Sequence, residues 1–131
     1  MWEVDHHTAD ARLRGTAPTL EELFAGAVPA LTAVMHPAGA GASVEVDVEL
    51  DAADPTALLV DFLNEVLTLL HIERAAFAET RFASLTETSL RATISGTRVE
   101  GFDEDVKSVT YHEAHVARDA NGWTVTLVLD I

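Results

Sequence analysis

The chain contains no cysteine, which excludes disulfides and thiolate metal sites and fits a reducing compartment. Positive charge is scarce: 8 Lys and Arg stand against 22 Asp and Glu, for a formal net charge of −14. That sign excludes non-specific gripping of a phosphate backbone, which needs the opposite one. It leaves divalent cations, a basic protein partner or simple solubility as its uses. Lysine is almost missing, since Lys107 stands alone beside seven arginines. Its ammonium is a compact point charge whose pKa shifts readily on burial, which makes Lys107 a candidate functional position. No uninterrupted apolar run approaches the roughly eighteen residues needed to cross a bilayer. The opening Met-Trp-Glu-Val-Asp carries acid where a secretion signal carries base. A cytoplasmic location is expected.

What the chain does have is material for a core. Its 131 residues are 48 % hydrophobic, spread along the whole length, and fit one domain over residues 1–131. Residues 2–7 and 10–16 alternate as two short strands. Thr19 with Glu22 forms a capping box behind Pro18. Leu20, Leu23, Phe24, Ala27, Val28, Leu31, Val34 and Met35 then recur at helical spacing. Pro29 inside this stripe is expected to kink the helix, and His36-Pro37 ends it. After the flexible Gly39-Ala40-Gly41, Val44, Val46, Val48 and Leu50 alternate with Glu45, Asp47 and Glu49 as a half-buried strand.

Asp54-Pro55 starts a second helix, whose core face runs from Leu58 to Leu70 and whose polar side, with Asn64 and Glu65, is expected in solvent. Strand formers follow over Phe77–Leu85 and Leu90–Ser95. Gly96 to Asp105 reads as a polar turn region, Val106–Arg118 as a long strand, and Trp123–Ile131 as a last strand behind the Asn121-Gly122 turn. The fold class is α+β: two helices packed on a largely antiparallel, curved β-sheet. The helices lie about 35 residues apart and each is followed by strand, the pattern of a degenerate strand–helix–strand duplication.

Chemistry gathers first in Asp5-His6-His7-Thr8-Ala9-Asp10. Carboxylates and imidazoles this close are costly to bury unpaired and useful for metal binding or proton transfer. A surface location accounts for them equally, and Arg12 or Arg14 could pair with Asp10 along the same strand face.

Three segments in order, His7-Thr8-Ala9-Asp10, Lys107-Ser108-Val109-Thr110-Tyr111-His112 and Leu129-Asp130-Ile131, resemble the archease family. That family's pattern opens on H-T-A-D, carries K-[AS]-[VI]-T-Y-[HS] late and stops at D-[IV]. Thr19-Leu20-Glu21-Glu22-Leu23-Phe24 and Phe62-Leu63-Asn64-Glu65-Val66-Leu67 are similar to its two helices, so the resemblance covers essentially the full chain. It implies a non-enzymatic cofactor of the tRNA-splicing RNA ligase RtcB, one that promotes guanylylation of the ligase's active-site histidine and multiple turnover. RNA and GTP would be met only through the ligase, and no membrane is involved. The resemblance also implies a bound divalent cation, calcium or another, with Asp10, Asp130 and the C-terminal Ile131 as ligands. Lys107 matches the family's functional lysine, and His7 and His112 are assigned with it to ligase activation. No catalytic residue is implied. The chain departs from the pattern at His6, at Pro29 and in the loop before Lys107, which lacks the common G-E.

Calcium takes six to eight hard oxygen ligands, carboxylates above all. The Asp130 side chain and an Ile131 α-carboxylate are adjacent anions, and adding Asp10 is unfavourable unless a cation sits among them. Lys107 could supply the positive charge in the metal's absence. In a regular strand Lys107 and His112 project to opposite faces, so both reach one site only if a bulge intervenes. Two other readings compete: a small metal-dependent hydrolase with His7 or His112 as base, and a chaperone-like interaction domain in which Asp10 pairs with Arg12 or Arg14.

Overall fold

The computed structural model describes residues 1–131. In chain order its elements are β1 (Trp2–His6), β2 (Asp10–Ala17), α1 (Leu20–Val34), β3 (Pro37–Ala38), β4 (Ser43–Asp51), α2 (Pro55–Glu73), β5 (Ala75–Leu85), β6 (Ser89–Arg98), β7 (Gly101–Phe102), β8 (Ser108–Asp119) and β9 (Gly122–Asp130). Both helices start where their caps place them. Thr19 is extended and accepts a hydrogen bond from the Glu22 N–H at 3.1 Å. Asp54 accepts one from the Ala57 N–H at 2.8 Å, with Pro55 at the first helical position. Each cap satisfies a backbone donor that the first turn leaves free. Helix α1 spans Pro29 as a single element.

Every strand pair is antiparallel, as the alternation predicts. The strands are divided between a four-stranded sheet in the order β1-β2-β9-β8, a three-stranded sheet in the order β4-β6-β5, and the short pair β3-β7. The helices touch each other and strands of both larger sheets, and one cluster of 30 buried residues joins all of these elements. Phe24 of α1 stacks on Phe62 of α2 with centroids 6.1 Å apart. Thr32 is the one polar residue among the 33 buried, and its hydroxyl donates to the Phe77 carbonyl of β5 at 2.7 Å. That bond removes the cost of burying it. Helix α2 reaches a mean hydropathy of 1.3 over an 18-residue window, and its apolar face, Leu58 to Leu70, packs into this core.

The stretch expected as a turn, Gly96 to Asp105, contains strand. β6 runs on through Gly96 to Arg98, and Gly101–Phe102 pairs with Pro37–Ala38. Gly96 continues the strand because its neighbour needs the space: a Cβ there would lie 1.9 Å from the Ala76 carbonyl oxygen. A missing side chain in a strand interior marks such a close backbone approach. The long strand expected from Val106 begins at Ser108, with Val106 buried just ahead of it.

Gly96→Ala should destabilise the protein by about 3 kcal/mol, because the Cβ meets backbone and cannot be accommodated by a rotamer change. Gly101→Ala, with nothing within 4 Å of the new Cβ, should change stability by less than about 0.5 kcal/mol. Urea unfolding of the two variants compares them directly.

Candidate functional site

The central strand of the four-stranded sheet assembles the corner. Along β9, Asp130 stands opposite Asp10 of β2 on one side and Ser108 of β8 on the other. Residues paired directly across an antiparallel ladder project to one face. The next row, Ala11, Leu129 and Val109, faces the core and is buried. Asp10, Asp130 and Ser108 therefore share the outer face. Backbone bonds fix the flanking residues: the Lys107 N–H donates to the Asp130 carbonyl at 2.7 Å, the Ile131 N–H to Ala9 at 3.3 Å, and the His7 N–H to Asp10 at 2.9 Å. Ile131 also packs its side chain against the core. Sequence segments from both ends of the chain thus meet, as the resemblance implies.

The charge at this corner is not balanced by the protein. Carboxylates directly opposite each other repel, and no Lys, Arg or His group lies within 4 Å of Asp10 or Asp130, nor any carboxylate within that distance of Lys107. Arg12, two residues from Asp10, pairs instead with Glu113 of β8. That guanidinium, by its hydrogen bond and its charge, holds the Glu113 carboxyl below the usual 4.5. The His7 ring turns to Asp5, 3.4 Å away, rather than to the acidic row. The pairing of Asp10 with Arg12 or Arg14 that a purely structural corner requires is absent.

The bulge that Lys107 and His112 call for exists. After Thr110 opposite Val128, β8 next pairs at His115 opposite Thr126, so five steps along β8 face two along β9. Tyr111 to Ala114, with His112 among them, form the outward loop of this bulge, and Glu113 takes a left-handed φ of 57°. Two contacts hold the loop: Glu113 to Arg12, and the Tyr111 hydroxyl donating to Asp61 of α2. The Asp61 bond raises the Tyr111 pKa above 10.0. Val128 is 5 % exposed although it faces away from the core, and it stands between Arg12 and Thr110 in the ladder.

Asn64, expected in solvent, is half-buried and holds two elements together. Its side-chain amide donates to the Val109 carbonyl at 2.8 Å and its carbonyl accepts from the Val109 N–H at 2.9 Å. Thr56 accepts from the Val116 N–H at 3.0 Å. Helix α2 thereby closes the free edge of β8 and sets the position of Lys107 and Ser108 against Asp130. The sequence signal was an asparagine inside an apolar helix, where a short polar amide needs a reason. Two residues along β8 from Ser108, the buried Thr110 hydroxyl has no hydrogen-bond partner. No three His, Cys, Asp or Glu side chains converge on a metal-binding arrangement. The corner offers two carboxylate side chains, not a complete side-chain cage.

Asn64→Ala should cost about 2 kcal/mol in urea unfolding, because it strands both Val109 backbone groups. The Arg12–Glu113 pair should show itself by pH. A depressed carboxyl contributes stability that is complete above pH 4.5 and is lost as pH falls through the lowered value. Carboxyl-carbon NMR should titrate Glu113 below 4.5 in the native protein, and at a higher pH in Arg12→Met than in the native protein.

Residues 2–131 match the model of the archease protein family (MTH1598/TM1083). The chain is 34 % identical to the protein archease of Pyrococcus furiosus over 141 residues, covering 100 % of this chain and 99 % of that protein. To the protein archease of Methanosarcina mazei it is 29 % identical over 139 residues, covering 99 % and 95 %. The fold is shared with the solution structure of Methanobacterium thermoautotrophicum protein 1598, at a TM-score of 0.73 and 24 % identity over 99 % of this chain and 98 % of that one. A Thermotoga maritima crystal structure, described as an archease and possible chaperone, matches at a TM-score of 0.65 and 16 % identity over 100 % and 98 %. None of these names is that of an enzyme. With a family model matched from end to end and a relative 34 % identical over the whole length, this chain belongs to the archease family.

Proposed function

We propose that this archease is a cytoplasmic, non-enzymatic cofactor of an RtcB-type RNA ligase. In this reading it promotes guanylylation of the ligase and its multiple turnover in tRNA splicing or RNA repair. The observation that supports it best is the Asp10–Asp130 pair, set opposite each other with no basic group in contact. Such a pair is an unfavourable arrangement in isolation and a favourable one around a divalent cation.

The donor set fits calcium, a hard cation that prefers carboxylate oxygen. Asp10, Asp130 and the Ile131 α-carboxylate would hold it, and when bound it would supply positive charge at an otherwise anionic tip. Lys107 is exposed and engaged in no ion pair, so its ammonium is available to a phosphate of the ligase's nucleotide. His112 is carried outward by the bulge, and His7 flanks Asp10. The net charge of −14 suits a partner surface that itself binds RNA and GTP, and leaves those ligands to the ligase.

Two measurements test this reading. In a multiple-turnover ligation assay, Asp10→Ala, Asp130→Ala and Lys107→Ala should each lower the stimulation by about tenfold or more, the scale of a lost ligand or its immediate support. Stimulation by Asp10→Ala equal to that of the native chain would discard the site. Calcium at about one hundred times its Kd should stabilise the native protein by about 2.7 kcal/mol. Asp10→Asn should be more stable than the native chain in chelator, by about 0.5 kcal/mol, as the repulsion goes, and should lose the calcium response.

A further inference from the structure

The four-stranded sheet has two edges, and the protein treats them differently. The β8 edge is closed by Asn64 and Thr56 of α2. The β1 edge has no such cover, since β1 pairs with β2 alone. Met1 and Thr16 exchange both backbone bonds, at 2.8 and 2.9 Å, and the His7 N–H donates to Asp10 at 2.9 Å. In an antiparallel ladder such bonding repeats every second residue. Glu3 and Asp5 therefore face β2, while the N–H and C=O groups of Trp2, Val4 and His6 point outward.

Those same three residues line a hollow of about 190 Å³ with Leu13 of β2 and Ala30, Ala33 and Val34 of α1, and Glu3 and His36 stand at it as polar groups. An apolar cavity of about 150 Å³ takes a benzene molecule, so this one has room for a single leucine- or phenylalanine-sized group. Val4 at its rim is 44 % exposed. The strand is also held in place: Trp2 lies on Gly15, where a Cβ would come within 2.6 Å of the indole. The edge is thus a fixed template with a pocket beside it.

The geometry points to β1 as a strand-addition site for an extended, basic segment of a partner protein. That segment would bond to the outward groups of Val4 and its neighbours, set one apolar side chain into the hollow, and place Lys or Arg beside Glu3 and Asp5. Charge selects this occupant over a second copy of the chain. Pairing two β1 strands through their outward groups sets Glu3 against Asp5, Glu3 against Glu3, or Asp5 against Asp5 in the three registers centred on the strand. Directly opposed like charges disfavour each of them, and neither Glu3 nor Asp5 forms an ion pair with the Arg14 or Arg12 that stands opposite it on β2. Main-chain bonds would give affinity and the pocket specificity, the division of labour usual in strand addition. This site is separate from the acidic corner, and its test needs no ligase.

The probe is a capped eight-residue peptide of alternating lysine and valine, added to the full chain and followed by amide NMR. Shifts should be confined to Trp2–His6, to Leu13 beside Val4 and to residues 30–36. A peptide of the same composition, N-methylated at alternate amides, keeps the charge but cannot pair, and should bind at least about tenfold more weakly, the effect of losing one or two hydrogen bonds. Val4→Pro should weaken binding similarly, since it deletes an outward donor and leaves the β1–β2 ladder intact. Glu3→Lys should weaken peptide binding and also let the chain dimerise in sedimentation, because the introduced ammonium would then oppose Asp5 of the second copy. Equal binding of the methylated peptide, shifts elsewhere, no shifts at millimolar peptide, or a monomeric Glu3→Lys that binds as the native chain does would each overturn the proposal.

Discussion

Strand β9 is the constraint on which the rest of the molecule depends. It is hydrogen-bonded on both sides, and its two registers decide which residues of β2 and β8 share a row. One face of that row structure is Ala11, Leu129 and Val109, all buried. The other is Asp10, Asp130 and Ser108. A shift of either register by one residue would turn the acidic row into the core and the core into solvent. Burial on one face therefore offsets the repulsion on the other, and holds together charges that, left to themselves, would separate.

Around that row the protein uses its polar groups for position and leaves the acids unneutralised. Arg12 is drawn off to Glu113, the bulge is held at Tyr111 by Asp61, and Asn64 replaces a missing neighbour strand at Val109. Each of these contacts fixes backbone within a few residues of Lys107 or Asp10. A bulge commonly re-aims side chains in this way. Here it takes His112 out of the strict alternation that would have set it against Lys107.

Much of the fold was legible because its signals are local. Thr19 and Asp54 cap helices within three residues of themselves, and the alternation of Val44 to Leu50 needs no distant partner to be read. The three segments of the proposed site were visible as motifs, and it was the resemblance to the archease family that implied they come together. What the sequence could not show depends on partners far along the chain. Asn64 and Val109 lie 45 positions apart, so nothing near Asn64 reveals that it completes a sheet edge. Arg12 stands next to Asp10 in the pattern, and only the bulge explains why it pairs with Glu113 instead. Gly96 reads as a turn until the Ala76 carbonyl is placed against it. The division of the strands between two sheets is likewise a matter of which edges find each other, and alternation alone does not specify it.

Asp10 and Asp130 come from almost opposite ends of the chain, and this has a kinetic meaning. Contacts so distant in sequence carry a large loop-closure cost, and pairings of this kind slow folding. No partly folded species that lacks the β2–β9 ladder can present the acidic row. A ligand of that row consequently recognises completed folding, and the corner serves as the molecule's own report that the sheet has closed.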